Sequence, residues 1–147
     1  MKIKLDVDTK KMEKLLGEEM TEQGLKEIEY PTAMEIVNRQ RMLVPADTAA
    51  TKLSIGQHIV ESSKTKIVDD IGPETEYSLY LEYGTGIYAE NGKGRKGGWF
   101  YKDNKGWHFT MGMKARPYIR PSVEKNAKKL FQMITSDFTD WLEKRYG

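Results

Sequence analysis

The chain has 147 residues, 38% of them hydrophobic and 31% charged, with a formal net charge of +2, which describes about one domain's worth of polar globule and not a disordered tail. Cysteine is absent, removing a disulfide framework, a thiol nucleophile and a thiolate metal site. The longest apolar runs, such as Met42-Leu43-Val44, fall far short of the ~20 residues of a membrane span, and the alternating N-terminus offers no secretory h-region, so manufacture inside the cell is the default expectation.

Ile3, Leu5 and Val7 alternate with Lys2, Lys4, Asp6 and Asp8, the period-two pattern of a half-exposed strand. Asp8 or Thr9 can cap a helix from about Lys10, with Met12, Leu15, Leu16, Met20 and Leu25 on its apolar side. Pro31 suits the first turn of a further helix, in which Ala33, Ile36, Val37, Gln40 and Leu43 recur until Pro45 stops it. A turn or short helix follows Pro45-Ala46-Asp47-Thr48. Ile55–Glu61 and Thr65–Ile71 then flank a short polar connection and read as a hairpin ended by Gly72-Pro73.

Tyr77 to Tyr83 would place Tyr77, Tyr80 and Leu81 on one helical face. Gly84–Gly98 holds six glycines with Lys93, Arg95 and Lys96 among them, which predicts a mobile loop. Trp99-Phe100-Tyr101 and Trp107-His108-Phe109 flank Asp-Asn-Lys-Gly and read as a second hairpin. Its Trp99, Tyr101, Trp107 and Phe109 are expected on one face, packed on the last helix. From Pro121-Ser122 to Gly147 the residues Val123, Ala127, Leu130, Phe131, Ile134, Phe138, Trp141 and Leu142 form one apolar stripe on a continuous amphipathic helix of more than five turns. The order predicts a single α+β domain over 1–147: a small, mainly antiparallel sheet built of two hairpins, packed against helices.

The chemistry of an enzyme is missing from this pattern. His58 and His108 fall in the two hairpins without a partner motif for nucleophilic or zinc chemistry. Asp69-Asp70, before Ile71-Gly72-Pro73, reads as solvated carboxylates at a strand end. Gly86 to Gly92-Lys93 fails the phosphate-loop pattern, since five residues separate the glycines and Gly94 stands where a Ser or Thr is required. No enzymatic activity and no cofactor or metal are expected.

Charge is unevenly spread. Residues 1–90 carry 11 basic and 17 acidic side chains, a net −6; residues 91–120 carry 8 against 1, a net +7; the remainder carries 5 against 4, a net +1. Nine of the fifteen aromatic residues lie between Tyr77 and Phe109, overlapping the basic stretch. Aromatics interleaved with cations are what single-stranded nucleic-acid binders use, although strand packing explains the aromatics as well. Lys93, Arg95 and Lys96 have no packing explanation and are left to a DNA backbone, an acidic neighbouring subunit or water.

Three stretches resemble one known family. Val44-Pro45-Ala46-Asp47-Thr48, with Leu53-Ser54-Ile55, is similar to its Pro-x-Asp-Thr-Gly…Ser-Ile signature. Tyr77-Ser78-Leu79-Tyr80-Leu81-Glu82-Tyr83-Gly84-Thr85-Gly86 is similar to its Tyr-Ala-x-Tyr-x-Glu-Phe-Gly-Thr-Gly, and Ala115-Arg116-Pro117-Tyr118-Ile119-Arg120-Pro121-Ser122 to its Ala-Arg-Pro-Phe-x-Arg-Pro-Ala. Ala49 replaces the usual Gly, and Thr51 a common Leu. The family is that of the tail-completion or neck proteins of long-tailed bacteriophages, named after the tenth gene product of a lambdoid coliphage. The resemblance runs from about Ala33 to Leu142.

The resemblance implies a structural virion protein, assembled in the bacterial host cytoplasm and acting at the head–tail joint in tail completion. Its copies would form a homo-oligomeric ring, a hexamer or dodecamer, around the DNA channel. Its neighbours would be head-closure or connector proteins on one side and tail-terminator or tail-tube proteins on the other, with non-specific contact to double-stranded DNA and none to membrane. A tail-terminator ring is the alternative within that class, and a small nucleic-acid-binding module the alternative outside it. Candidate interface residues are Glu82, Tyr83, Arg116, Tyr118 and Arg120, with Lys93, Arg95 and Lys96 meeting DNA or a neighbour. Pro45, Asp47, Thr48, Gly84, Thr85, Gly86, Pro117 and Pro121 are expected to shape the backbone, with Asp47 or Thr48 capping a helix. Glu82 is expected to pair with Arg116 or Arg120, and both arginines are open to intrachain or intersubunit contacts.

Overall fold

The computed structural model describes residues 1–10 and 21–147. Strand β1 (Ile3–Asp8) half-buries its odd-numbered side chains and exposes its even ones, as alternation requires. The helix expected from Lys10 through Met20 lies outside the described residues. Helix α1 (Glu22–Leu43) is longer than the sequence pattern suggests. Thr21 caps it, accepting the Gly24 N–H at 3.0 Å. Pro31 is interior to the helix and not its opener; its ring faces solvent, so only one backbone hydrogen bond is forgone. Gly24 and Pro31 look like breakers in sequence, but the buried row Leu25, Ile28, Ala33, Ile36 and Val37 overrides them.

After α1 come α2 (Ala49–Ser54), β2 (Gly56–Ser62) and β3 (Lys66–Gly72). The three strands form an antiparallel sheet in the order β1-β3-β2. Its register places Leu5 and Ile59 on either side of Asp69, and Ile3 and Gln57 on either side of Ile71. These side chains, with Val7 and Ile67, face the helices; Lys4, Asp6, His58 and Asp70 face away. A bulge at Ile59/Glu61 leaves Val60 outside the ladder. Helix α3 (Tyr77–Tyr83) ends at Gly84, and a 3₁₀ turn (Gly86–Tyr88) follows.

The second hairpin is β4 (Trp99–Asp103) with β5 (Gly106–Thr110), a separate two-stranded sheet. Its register overturns the expected aromatic face. Phe100 pairs with Phe109 and Lys102 with Trp107, so Trp107 and Phe109 lie opposite Trp99 and Tyr101. Nor does the hairpin serve as packing for the C-terminal helix: Phe100, Trp107 and Phe109 are 68%, 70% and 59% exposed.

The C-terminal segment is two helices, α4 (Ile119–Glu124) and α5 (Ala127–Tyr146). Pro121 lies inside α4 and does not open a continuous helix. Asn126 interrupts the run. Its φ of −128° leaves the helical region, and its side chain turns back to the Ser122 carbonyl at 3.4 Å. Helix α5 packs on α1 through Leu130, Ile134, Phe138 and Trp141, while Lys129 reaches Glu35 at 3.0 Å. Phe131, counted in the apolar stripe, is 72% exposed. The fold is α+β, with helices over one face of the three-stranded sheet.

The core has two parts. Ile36, Val37, Ile55, Ile71, Leu81, Tyr118 and Ile119 make the larger; Leu25, Ile28 and Ile67 make the smaller. Glu29 and Thr32 of α1 and Asp69 of β3 are also fully buried on the facing surfaces. This corrects the reading of Asp69 as a solvated turn carboxylate: the strand continues to Gly72, and parity turns Asp69 inward. Burial and the neighbouring Asp69 carboxyl push Glu29 up to about 8. Burial raises Asp69 as well, so the pair favours holding a proton.

Candidate assembly site

Tyr77–Gly86 and Ala115–Ser122 meet at Glu82, with Pro45–Thr48 tied in through Arg116. Glu82 stands at the end of α3 with its carboxylate fully buried. It accepts the backbone N–H groups of Tyr118, Ile119 and Arg120 at 2.9, 2.9 and 3.0 Å. Those are the unpaired donors at the start of α4, so Glu82 caps that helix from another element. Arg120 returns through Nε to Glu82 at 2.9 Å, and its Nη2 meets Glu90 at 3.0 Å. The guanidinium stacks 4.8 Å from the Tyr83 ring centroid. Burial pushes the Glu82 carboxyl up, but the N–H groups and guanidinium outweigh it and hold the group below its usual value. The two carboxylates keep Arg120 firmly charged.

Arg116 does not share this arrangement. Its guanidinium meets Asp47 at 3.2 Å, an exposed ion pair, and its backbone N–H donates to the Leu81 carbonyl at 2.7 Å. Asp47 is therefore a partner of Arg116 and not a helix cap. Thr48 occupies the cap position of α2 but makes no side-chain cap; its hydroxyl donates to the Pro45 carbonyl at 2.5 Å.

Gly84, Thr85 and Gly86 lie against Met111–Met113. Thr85 N–H donates to the Met113 carbonyl at 2.8 Å, and its hydroxyl accepts Met113 N–H at 2.9 Å. Gly86 has a φ of +61°, and a Cβ there would stand 2.1 Å from the Met111 carbonyl oxygen, so only glycine fits. The beginning of the glycine-rich stretch is thus threaded by backbone hydrogen bonds through Gly92. Pro117 is exposed ahead of α4, and Pro121 is half-buried within it.

Two expected interface residues are not available to a partner. Glu82 and Tyr118 have no exposed surface, because one caps α4 and the other fills the core beneath it. Arg120 and Arg116 are committed to intrachain carboxylates, the former the more deeply. Tyr83 is partly exposed beneath Arg120. In the basic segment, Lys93 is exposed, and Arg95 stacks over Trp99 at 5.7 Å. Lys96 folds back to the Gly92 carbonyl at 2.7 Å. Sequence reading did not pair Asp47 with Arg116, nor bring Glu90 to Arg120, because both pairs bridge distant segments. Glu29 carried a readable signal, since it falls on the row of Leu25, Ala33, Ile36 and Gln40 that α1 buries.

Two concave surfaces flank this core. One, of about 640 Å³, is lined by Tyr77, Tyr80, Arg95, Trp99 and Tyr101 among others. The other, of about 630 Å³, runs between the outer edge of β1 and helices α1 and α5 and is mostly apolar. Among the described residues no group of three or more acidic or histidine side chains is gathered as for a metal ion, and no helix is long and apolar enough to cross a membrane. No protein-family model, curated protein or solved structure matches the chain.

Proposed function

We propose that the chain is a structural subunit of a bacteriophage head–tail joint, acting in tail completion as one member of a ring around the DNA channel. The observation that carries this reading is the convergence of the three family-like stretches. Pro45–Thr48, Tyr77–Gly86 and Ala115–Ser122 are scattered over more than seventy positions, yet Asp47–Arg116, Leu81–Arg116 and Glu82–Arg120 bring them together. Motifs that build a fold's internal joint recur for a structural reason, independently of any reaction. The charge division supports the same reading: an acidic body and a basic segment on one chain attract head to tail, and a rotation that closes gives a ring.

The test is complementation. Where this gene lies beside portal, capsid and tail-tube genes, a nonsense allele yields filled heads and free tails by electron microscopy, and the gene supplied in trans restores joined particles. Normal particles from the nonsense allele would overturn the assignment.

A second reading, a free nucleic-acid-binding module, is favoured by one feature: Arg95 over the Trp99 ring, with Tyr77, Tyr80 and Tyr101 lining the same concavity. A mobility-shift titration separates the two. A monomer that shifts single-stranded DNA with a steep salt slope supports the module; indifference to single-stranded DNA supports the joint.

A further inference from the structure

Arg95 stands apart from the other arginines. Of the six in the chain, Arg39, Arg41, Arg116, Arg120 and Arg145 each donate a hydrogen bond to an acceptor within the fold. Arg95 donates none among the described residues, and its guanidinium lies 5.7 Å from the Trp99 ring centroid with no carboxylate paired to it. It borders the concavity of about 640 Å³ between α3 and the inner face of the β4–β5 hairpin, together with Tyr77, Tyr80, Trp99 and Tyr101. No acidic side chain lines that space. Its walls are fixed before any ligand arrives. Thr85 N–H donates to the Met113 carbonyl at 2.8 Å and Ile87 N–H to the Met111 carbonyl at 3.1 Å, stitching the turn after α3 to the segment after β5. A Cβ on Gly112 would collide with the Thr85 carbonyl, so the two segments lie in backbone contact at the floor, and the site is preorganised.

We propose that this concavity holds one nucleotide unit, its base stacked between the tyrosines of α3 and the Trp99–Tyr101 face of β4, and its phosphate on the Arg95 guanidinium. The site deepens the second reading of the chain, as a nucleic-acid-binding module, and rests on it. The lining selects the ligand. A cation would meet Arg95 with no carboxylate to offset the repulsion, and an aliphatic guest gains nothing from the guanidinium. A flat ring carrying an anionic group uses both features, stacking on the aromatic faces and taking a forked, charge-assisted contact from the arginine. Residues 91–120 carry eight basic side chains against Asp103 alone, and Asp103 is held by His108 at 2.9 Å. That field favours phosphate, alone or in a strand, over a single carboxylate. The volume suits one small ligand and not a length of chain, so a strand would place one nucleotide here and leave its neighbours outside. A free mononucleotide and an unpaired residue of a single strand present the same chemistry.

Amide NMR titration tests the site with three probes: deoxyadenosine 5′-monophosphate, deoxyadenosine, which lacks the phosphate, and a single-stranded deoxyadenylate of about eight nucleotides. The monophosphate is expected to bind with a Kd of about 0.1–1 mM, roughly tenfold more tightly than deoxyadenosine. Arg95 is exposed, so Arg95→Gln leaves the fold in place; it is expected to abolish the advantage of the monophosphate and leave the affinity for deoxyadenosine unchanged. Tyr80→Ala, also at an exposed ring, is expected to weaken both ligands alike by about tenfold, because stacking does not depend on the phosphate. Absence of saturable binding of the monophosphate up to about 10 mM overturns the proposal. So does a phosphate preference that survives Arg95→Gln, or tighter binding of an acidic, tyrosine-containing tripeptide, which supplies the same ring and charge from a protein. An oligonucleotide that binds at least about tenfold more tightly than the monophosphate, and loses that affinity in both variants, identifies the strand as the source; equal affinity identifies the free nucleotide and removes the module reading alone. Strand binding untouched by either variant removes the site and leaves the module.

Discussion

Glu82 shows how one side chain can decide whether two segments belong together. Its carboxylate receives three backbone donors and a guanidinium, so replacing it strands several buried donors at once. Glu82→Gln keeps the shape and loses the charge; it is expected to cost about 2–4 kcal/mol, a Tm drop of roughly 5–15 °C for a chain of this length. Because the folded-state pKa is depressed, the stability this group contributes is present above the ordinary carboxylate range. It is lost as pH falls through the folded value, so the gap between parent and variant narrows in acid. Glu29 has the opposite sign. With its pKa raised to about 8 beside Asp69, the folded state holds a proton that the unfolded chain releases above about 4.5. Stability therefore declines as pH rises from there toward 8. Glu29→Gln is expected to be nearly neutral at pH 4.5 and to stabilise by about 1–3 kcal/mol at pH 8.5. Chemical denaturation across that pH range checks both variants; a Glu29→Gln effect that is constant with pH would remove the shared-proton account.

At the scale of elements, the packing of α1 on α5 turns on a residue with no side chain. A Cβ on Gly24 would stand 2.6–2.8 Å from three atoms of the Trp141 ring, so the indole lies directly on the helix backbone. Gly24→Ala gains about 1 kcal/mol of helix propensity but forces the ring outward, and a net loss of about 1 kcal/mol is expected. In a Trp141→Leu background the clash is gone and the same substitution should stabilise. Denaturant unfolding of the four-protein cycle reads the sign change, and a Gly24→Ala effect unaltered by Trp141→Leu would show that the ring does not restrict the site. The same glycine explains part of what the sequence hid. Alternation marked β1, β-branched content around a short polar connection marked β2 and β3, and helical spacing of apolar residues marked the body of α1 and α5. The extent of α1 was hidden because Gly24 is required by a tryptophan more than a hundred residues away and Pro31 faces solvent. The aromatic hairpin was legible as two strands, but its faces depend on register, which the Asn104-Lys105 turn sets and alternation alone does not. The joint at Glu82 was half legible: the pairing with Arg120 could be expected from charge, whereas its three backbone donors come from the way α4 is delivered beside α3.

For the whole molecule, the decisive property is the separation of charge between residues 1–90, at −6, and residues 91–120, at +7. Such a division contributes little to the fold, since its charges are mostly solvated, and much to encounter between copies or with DNA. The two partners leave different signatures in salt. Attraction between protein surfaces is screened over about 8 Å at physiological ionic strength, but an apolar seat survives screening. Binding to duplex DNA instead releases condensed counterions, and its affinity falls as a power of salt concentration with a slope near −0.9 per phosphate neutralised. Lys93→Glu with Arg95→Glu and Lys96→Glu changes the basic segment by −6, from +7 to +1, without touching the Phe100–Trp107–Phe109 face. If the segment serves contact between copies, self-association weakens by roughly tenfold at 50 mM salt and by much less at 500 mM, where the parent is screened as well. If it serves DNA, the variant loses about three from the magnitude of its log–log salt slope while sedimentation is unchanged. Sedimentation equilibrium and fluorescence anisotropy on one pair of proteins measure both quantities. Loss of self-association with an unaltered DNA slope assigns the cations to the neighbouring subunit, and the reverse assigns them to the channel.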